Sequence, residues 1–341
     1  MNSLPPANRT SRQSSVRPAF TLVELLTVIA IISLLIAILI PSLSGARRSA
    51  QSLKTRTILK GLGDGLELFR GENEDECRLT RGYPPSAAAD DPTEQGTQHI
   101  FGAQWLVRYL AGKDLKGYVA KRNVPADLLS NPQTGWEQKE WYDPDRAVPR
   151  VGPYVELGQL RIIKPSELRG VPSELPANCN ATTLEQLVVV DTFSYPILYY
   201  AANAFVAARQ NAPLARFDAR NPATAPEPAI YTFSDNGLFT GMALTPSQAP
   251  VIKPWDFLET GPDTYYPGSR FGPAELMRRD QVLSMIQNGD TDNFVYRILN
   301  KGAFEASQRN TATPYNPNTY LLISPGADGK FGTADDIKNF D

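Results

Sequence analysis

Two sets of acidic residues stand out by type and spacing. Near the C-terminus, Ser324-Pro325-Gly326-Ala327-Asp328-Gly329 is followed by Gly332-Thr333-Ala334-Asp335-Asp336-Ile337. Three carboxylates and several backbone carbonyls thus share one short glycine-rich stretch. Hard cations such as Ca2+ take about six to eight oxygen ligands at about 2.3–2.6 Å, and this composition suits them. The D-x-[DN]-x-[DN]-G spacing of an EF-hand is absent. A solvated turn would have the same composition, so the residues alone leave both readings open. At the other end, Glu24 is the single charge in the run Phe20 to Ile40, FTLVELLTVIAIISLLIAILI. A carboxylate in the middle of a lipid-spanning helix costs about 2.5–3.5 kcal/mol, and less toward its edge. Glu24 therefore either sits at headgroup level or has a partner.

Composition excludes several kinds of chemistry. The 341 residues include one histidine, His99, and two cysteines, Cys77 and Cys179. That rules out histidine-rich metal sites and disulfide-dense scaffolds. Lys plus Arg is 34 and Asp plus Glu is 36, a net charge of −2, so there is no basic excess to bind nucleic acid. No G-x-S-x-G nucleophile elbow and no G-x-x-x-x-G-K phosphate loop occurs. A glycosidase pair drawn from the 36 acids stays open as an alternative. Proline, 29 residues, exceeds the usual ~5%, which favours turns and irregular loops over a helical bundle.

The elements that carry these acids follow from patterning. Phe20 to Ile40 as a helix is about 31 Å long, matching a bilayer core of roughly 30 Å. It is too long for the apolar core of a cleaved secretory signal, about 7–15 residues. Before it, Met1 to Ala19 carries Arg9, Arg12 and Arg17 and no acid; after it come Arg47, Arg48, Lys54 and Arg56. Charge on both flanks leaves the orientation unsettled. Pro41 follows the run. Ile58, Leu62, Leu66 and Phe69 then form one stripe of an amphipathic helix. Gly61, Gly63 and Gly65 weaken that helix by about 1 kcal/mol each, so packing on a sheet must hold it. His99 to Leu110 predicts a helix whose Phe101, Trp105 and Tyr109 face a core. Residues 123–180 are proline-rich, with Asn131-Pro132 and Asp143-Pro144 as turn signals. Strands are predicted at Leu187 to Asp191, Tyr195 to Ala201 and Tyr320 to Ile323. Ile230 to Phe233 and Leu238 to Phe239 flank Asn236-Gly237, a hairpin signal. A helix is predicted within 273–299.

The N-terminal residues carry a resemblance. Arg17-Pro18-Ala19-Phe20-Thr21-Leu22-Val23-Glu24-Leu25-Leu26 resembles the class III signal of type IV pilins and type II secretion pseudopilins. That family has a basic leader, a small residue before the cut, Phe after it, and Thr-Leu-x-Glu-Leu opening a long apolar helix. The resemblance implies cleavage between Ala19 and Phe20 by a prepilin peptidase and N-methylation of Phe20. Ala19 stands where the family nearly always has Gly. Pro41 matches the family's helix-kinking proline. Glu24 would then be an assembly residue that pairs with a neighbouring subunit's amine. Loss of the leader's three arginines would leave 31 basic and 36 acidic residues, a net charge of −5.

Further matches lie downstream. Arg81-Gly82-Tyr83-Pro84-Pro85 and Thr93-Glu94-Gln95-Gly96 resemble the Tyr-Pro and Thr-Glu-Gln-Gly stretches of major pseudopilins, although here they are further apart. Asp191 to Tyr200 resembles the family's Asp-x-aromatic-x-x-Pro-aliphatic-x-Tyr strand. The C-terminal stretch is similar to the calcium loop of major pseudopilins. By that likeness Asp328 and Asp336 are carboxylate ligands, and Asp335, Ser324 and the carbonyl of Pro325 are candidates. The Ca2+ would be structural.

The fold expected is α+β and pilin-like: a long N-terminal helix packed on a C-terminal antiparallel sheet, with a large loop-rich insertion. Its segments are a basic leader (1–19), a transmembrane helix (20–40), an amphipathic continuation (41–70) and a periplasmic head (71–341). The head holds the insertion at about 97–190 and the calcium-type loop at 324–337. The resemblance implies a non-enzymatic filament subunit, closest to a major pseudopilin of type II secretion. It implies a single-pass place in a bacterial inner membrane before assembly. Expected partners are the chain itself, other pseudopilins, prepilin peptidase, an inner-membrane assembly platform and the lipid bilayer, without nucleic acid. The large head makes a minor pilin or an adhesin with a binding head the alternative, and an anchored periplasmic enzyme a third. Cys77 and Cys179 could pair if the head lies in an oxidising compartment.

Overall fold

The apolar run and the amphipathic stripe fall on one helix, α1 (Leu22–Asn73), in a computed structural model of the chain. The structure describes residues 22–75, 77–86, 89–90, 99–125, 148–168, 183–209, 212–216, 228–240, 276–277, 279–287, 294–308 and 312–340. The chain divides into two units, 1–49 and 50–341.

In the first unit, Leu22 to Ile40 are all exposed, including Leu22, Leu34, Leu35, Ile38 and Leu39. So long an exposed apolar surface requires lipid or other helices to cover it. This stretch is long and apolar enough to cross a membrane and is a candidate anchor. The helix runs through Pro41 without ending there.

In the second unit the stripe does what its spacing predicts. Ile58, Leu62, Leu66 and Phe69 are all buried. Phe69 meets the rings of Tyr109, Tyr118 and Tyr154 edge-on at 5.4–5.6 Å between centroids. Each such pair is worth about 0.5–1.5 kcal/mol beyond burial, which helps to offset the helix glycines. Gly65 has its own reason. A Cβ there would meet the Val155 side chain and the Tyr154 carbonyl, so glycine permits the close approach of that segment.

The strands are short. In chain order they are β1 (Ala89–Asp90), β2 (His99–Ile100), β3 (Arg161–Ile163), β4 (Val188–Val190), β5 (Leu198–Ala201), β6 (Ala215–Arg216), β7 (Tyr231–Thr232), β8 (Leu276–Met277), β9 (Tyr320–Ser324) and β10 (Ile337–Lys338). The helices after α1 are α2 (Gly102–Ala111), α3 (Ala204–Ala207), α4 (Gly237–Thr240), α5 (Arg279–Gln287), α6 (Phe294–Ile298) and α7 (Lys301–Ala306). The central sheet has the order β10-β9-β5 and is antiparallel throughout. Smaller sheets pair β1 with β2, β3 with β4, and β7-β6-β8, in which β6 and β7 run parallel.

The central sheet is buried on both faces, which is why its strands read as continuous apolar runs (YLLIS, LYYA) rather than alternating ones. Tyr199 and Leu322 face a core shared with α1. Leu198, Tyr200, Leu321 and Ile323 face a second core with Phe233, Phe294 and Phe331. The arrangement is the α+β, pilin-like one expected: a long N-terminal helix with antiparallel sheet. Within the span 97–190, α2 is buried at every residue and its Trp105 and Tyr109 join the α1 core.

The Asn236-Gly237 signal does not make a hairpin. Phe233–Asn236 is a 3-10 turn that leads directly into α4. A tertiary use of Asn236 overrides the local preference. Its amide donates to the Tyr199 carbonyl at 2.8 Å, and its oxygen accepts from the Ala103 N–H at 2.9 Å, in the first turn of α2.

Candidate functional site

The C-terminal acids lie in the loop 325–336 that joins β9 to β10. Its root is fixed by the pairing of Ser324 with Ile337. Three glycines with positive φ, Gly326 (68°), Gly329 (72°) and Gly332 (86°), fold the loop back on itself. Gly326 lies so close to the Asp335 backbone that a Cβ would overlap the carbonyl. The near arm, from Ser324, is thereby held against the far arm that carries Asp335 and Asp336.

The carboxylates organise the loop backbone. The Asp328 N–H donates to Asp335 at 2.9 Å, and the Lys330 N–H donates to Asp328 at 2.8 Å. The Thr333 hydroxyl donates to Asp335 at 2.6 Å, and the Gly332 N–H donates to Asp336 at 2.9 Å. Ser324 is fully buried, and its hydroxyl donates to Asp191 at 2.6 Å while accepting from the Gly326 N–H at 3.3 Å. Pro325 is buried, Asp328 and Asp335 are exposed, and Asp336 is half-buried.

Burial sets the electrostatics. It pushes the Asp336 carboxyl up to about 7, with Gly332 and the cations of Lys338 and Arg297 pulling the other way. Burial, aided by the neighbouring Asp335 carboxylate, also raises Asp328. For Asp335, burial works upward, but hydrogen bonds from Thr333 and the Asp328 N–H outweigh it and the net shift is downward.

Among the described residues no three His, Cys, Asp or Glu side chains gather into a ready-made cluster. The loop nevertheless contains one atom that suits a cation. Asp336 Oδ1 is buried with no hydrogen-bond partner. A buried carboxylate oxygen without a donor is costly unless something positive meets it. The side-chain acceptors of the loop, on Asp328, Thr333, Asp335 and Asp336, are all oxygens, the set that calcium prefers.

Two neighbours of this loop were not evident as site residues in the sequence. Asp191, 2% exposed, holds Ser324 through one oxygen. The other accepts the N–H groups of Phe193 and Tyr195 at 2.8 and 2.9 Å. Burial raises its carboxyl to about 6 against those bonds. The ring of Tyr195 lies over Gly329. The likeness of Asp191 to Tyr200 to a pseudopilin strand pointed at this segment but not at its contact with the loop.

Glu24 is exposed in the first turn of α1. Ala19 and Phe20, with the cleavage and methylation assigned to them, lie outside the described residues, as do Thr93 to Gly96 and Cys179. The pairing of Cys179 with Cys77 therefore lies outside them as well.

Over 120 residues, which are 35% of this chain and 72% of the relative, the chain is 27% identical to the type II secretion system core protein G of Escherichia coli (strain K12). No protein-family model matches the chain, and no solved structure does. The chain is thus similar to a pseudopilin, in keeping with its fold and with its candidate N-terminal anchor.

Proposed function

We propose that the chain is a structural subunit of a pilin-like filament, a type II secretion pseudopilin that polymerises to drive protein export, and not an enzyme. One observation carries most of this reading. A single helix, Leu22–Asn73, exposes an apolar stretch over its first part and buries Ile58, Leu62, Leu66 and Phe69 in a globular head over its last part. The similarity to core protein G supports the same reading.

The assembly chemistry follows from the residues. Cleavage after Ala19 would leave a positive amine on Phe20, which is then methylated. Helices packed with a stagger would bring that amine to Glu24 of a neighbour. At low dielectric an unpaired charge is far more costly than a paired one, so the pairing selects register. The subunit would wait in the inner membrane with its head in the periplasm, and an assembly platform would add it to the filament. In the head, the carboxylates of Asp328, Asp335 and Asp336 and the carbonyl of Pro325 would hold Ca2+. The cation would meet Asp336 Oδ1, which has no hydrogen-bond partner, and lock the 325–336 loop to the sheet.

The test is intact-mass and N-terminal peptide mass spectrometry on protein from native membranes. A chain that begins at methylated Phe20 is expected. A chain that retains Arg17-Pro18-Ala19 would overturn the filament reading and leave a permanently anchored head.

A further inference from the structure

The turn Asp191–Tyr195, between β4 and β5, touches two parts of the protein at once. On one side it holds the calcium-type loop at two points. Asp191 accepts the Ser324 hydroxyl at the loop's root, and the Tyr195 ring lies over Gly329 in its middle. On the other side it grips α1. The Thr192 hydroxyl donates to the Gln51 carbonyl at 2.8 Å and lies 2.7 Å from the Thr55 hydroxyl. The Gln51 amide donates back to the Thr192 carbonyl at 3.3 Å. Thr55 is fully buried, although it sits on a helix ahead of the apolar stripe.

The turn itself is stiff. One Asp191 oxygen accepts two N–H groups of the turn, and the Asp191 N–H donates to the Tyr195 carbonyl at 2.8 Å. Ser194 takes a left-handed φ of 74°. A displacement of Ser324 or Gly329 therefore moves the turn as a unit and is not absorbed inside it. The network is partly buried, and its bonds hold one another in place.

We propose that the Asp191–Tyr195 turn couples cation occupancy of the 325–336 loop to the order of α1 at Gln51–Thr55. Thr192 is the positioning residue of this linkage, and Asp191 is its anchor on the loop. This inference rests on the calcium reading given above. A cation held by the loop acids fixes both arms of the loop, and with them Ser324 and Gly329. The turn is then held in one place, and Thr192 holds the beginning of the packed part of α1. Without the cation, Asp328 and Asp335 repel and Asp336 Oδ1 has no partner, so the loop loosens and the grip on Gln51 and Thr55 loosens with it.

The test is hydrogen–deuterium exchange, read by mass spectrometry, on the full chain in detergent with CaCl2, MgCl2 or EGTA. In the wild type, CaCl2 is expected to slow exchange in peptides covering 324–336 and also in those covering 50–56. The effect on 50–56 should be about fivefold or more, the low end of usual coupling between sites. Thr192→Val keeps the side-chain shape and removes the hydroxyl. It should retain the calcium effect at 324–336 and lose most of it at 50–56, where the Gln51 amide can still donate to the Thr192 carbonyl. Thr55→Val, made from the helix side, should do the same. Two results would overturn the coupling and leave the calcium reading intact: a wild-type loop protected by CaCl2 with 50–56 unchanged, or a Thr192→Val chain whose 50–56 response is undiminished. No calcium effect at 324–336 would remove the calcium reading and the coupling together.

Discussion

The backbone of Gly329 lies against the phenol ring of Tyr195, so close that a Cβ at that position would overlap Cζ and the hydroxyl. Gly329 also has a φ of 72°. Two independent reasons thus reserve the position for glycine. Gly329→Ala should cost at least about 1–2 kcal/mol from the left-handed backbone alone, with the ring overlap added. Thermal unfolding of the full chain in detergent reads this. Tyr195→Ala in the same chain should recover the overlap part and leave the backbone part. No recovery would mean that the ring is not what excludes the Cβ.

The calcium reading makes a differential prediction. Wild-type protein should melt about 5–10 °C higher with Ca2+ at a hundred times its Kd than in chelator, by mass action on the folded state. Asp328→Ala should lose most of that gap while its melting in chelator stays near that of the wild type. If the variant lowers both curves equally, Asp328 stabilises the loop only by accepting the Lys330 N–H, and no metal is involved.

Asn236 supports a third prediction. It satisfies a first-turn N–H of α2, which has no intrahelical partner, and a sheet carbonyl at Tyr199. Asn236→Ala leaves both unmet in a buried place, at a cost of roughly 2–4 kcal/mol. Urea unfolding checks it. A loss under about 0.5 kcal/mol, the range of neutral surface changes, would show that water or a rearrangement replaces the amide.

Asn236 also shows what the sequence could and could not convey. The apolar run, the stripe from Ile58 to Phe69 and the strands at Tyr195–Ala201 and Tyr320–Ile323 were legible because each pattern is local. Their apolar residues declare a need for apolar cover, inside the head or outside it, whatever the partner. Asn236-Gly237 also carried a local signal, but a contact with Tyr199, far back in the chain, decided the outcome. Thr55 and Thr192 are ordinary polar residues until the fold brings them within 2.7 Å of each other. Asp191 was visible as part of a strand-like resemblance, yet its bond to Ser324 spans 133 positions and leaves no periodic trace. For the candidate site, therefore, the loop acids could be read directly, whereas the residues that hold the loop to the head could not.

The Asp114–Arg150 ion pair joins the segment after α2 to the segment that leads into β3. Burial would raise the Asp114 carboxyl, but the Arg150 hydrogen bond and the Lys116 N–H outweigh it, and the net shift is downward. A depressed folded-state pKa means that the pair's stabilisation is present above the ordinary carboxylate range. It is lost as pH falls through the folded value. The pair is partly exposed, so its worth is at most about 1 kcal/mol. Stability measured from neutral pH into strong acid should fall less steeply in Asp114→Asn than in the wild type. Identical slopes would show that the pair contributes nothing.

Glu24 gives the sharpest test of assembly because it is the only charge in its stretch and is remote in sequence from the head. Glu24→Gln keeps size and helix propensity but removes the charge that a neighbouring amine would meet. Pairing at lipid depth is worth a few kcal/mol, so filament yield should fall roughly tenfold or more. Head unfolding, read by the calcium-dependent melting above, should not change. Glu24→Asp keeps the charge with a shorter reach and should fall between the two. The yield is read by pelleting filaments from cells that express each variant at equal levels. Wild-type yield from Glu24→Gln would remove the assembly role and return Glu24 to a carboxylate that sits at headgroup level.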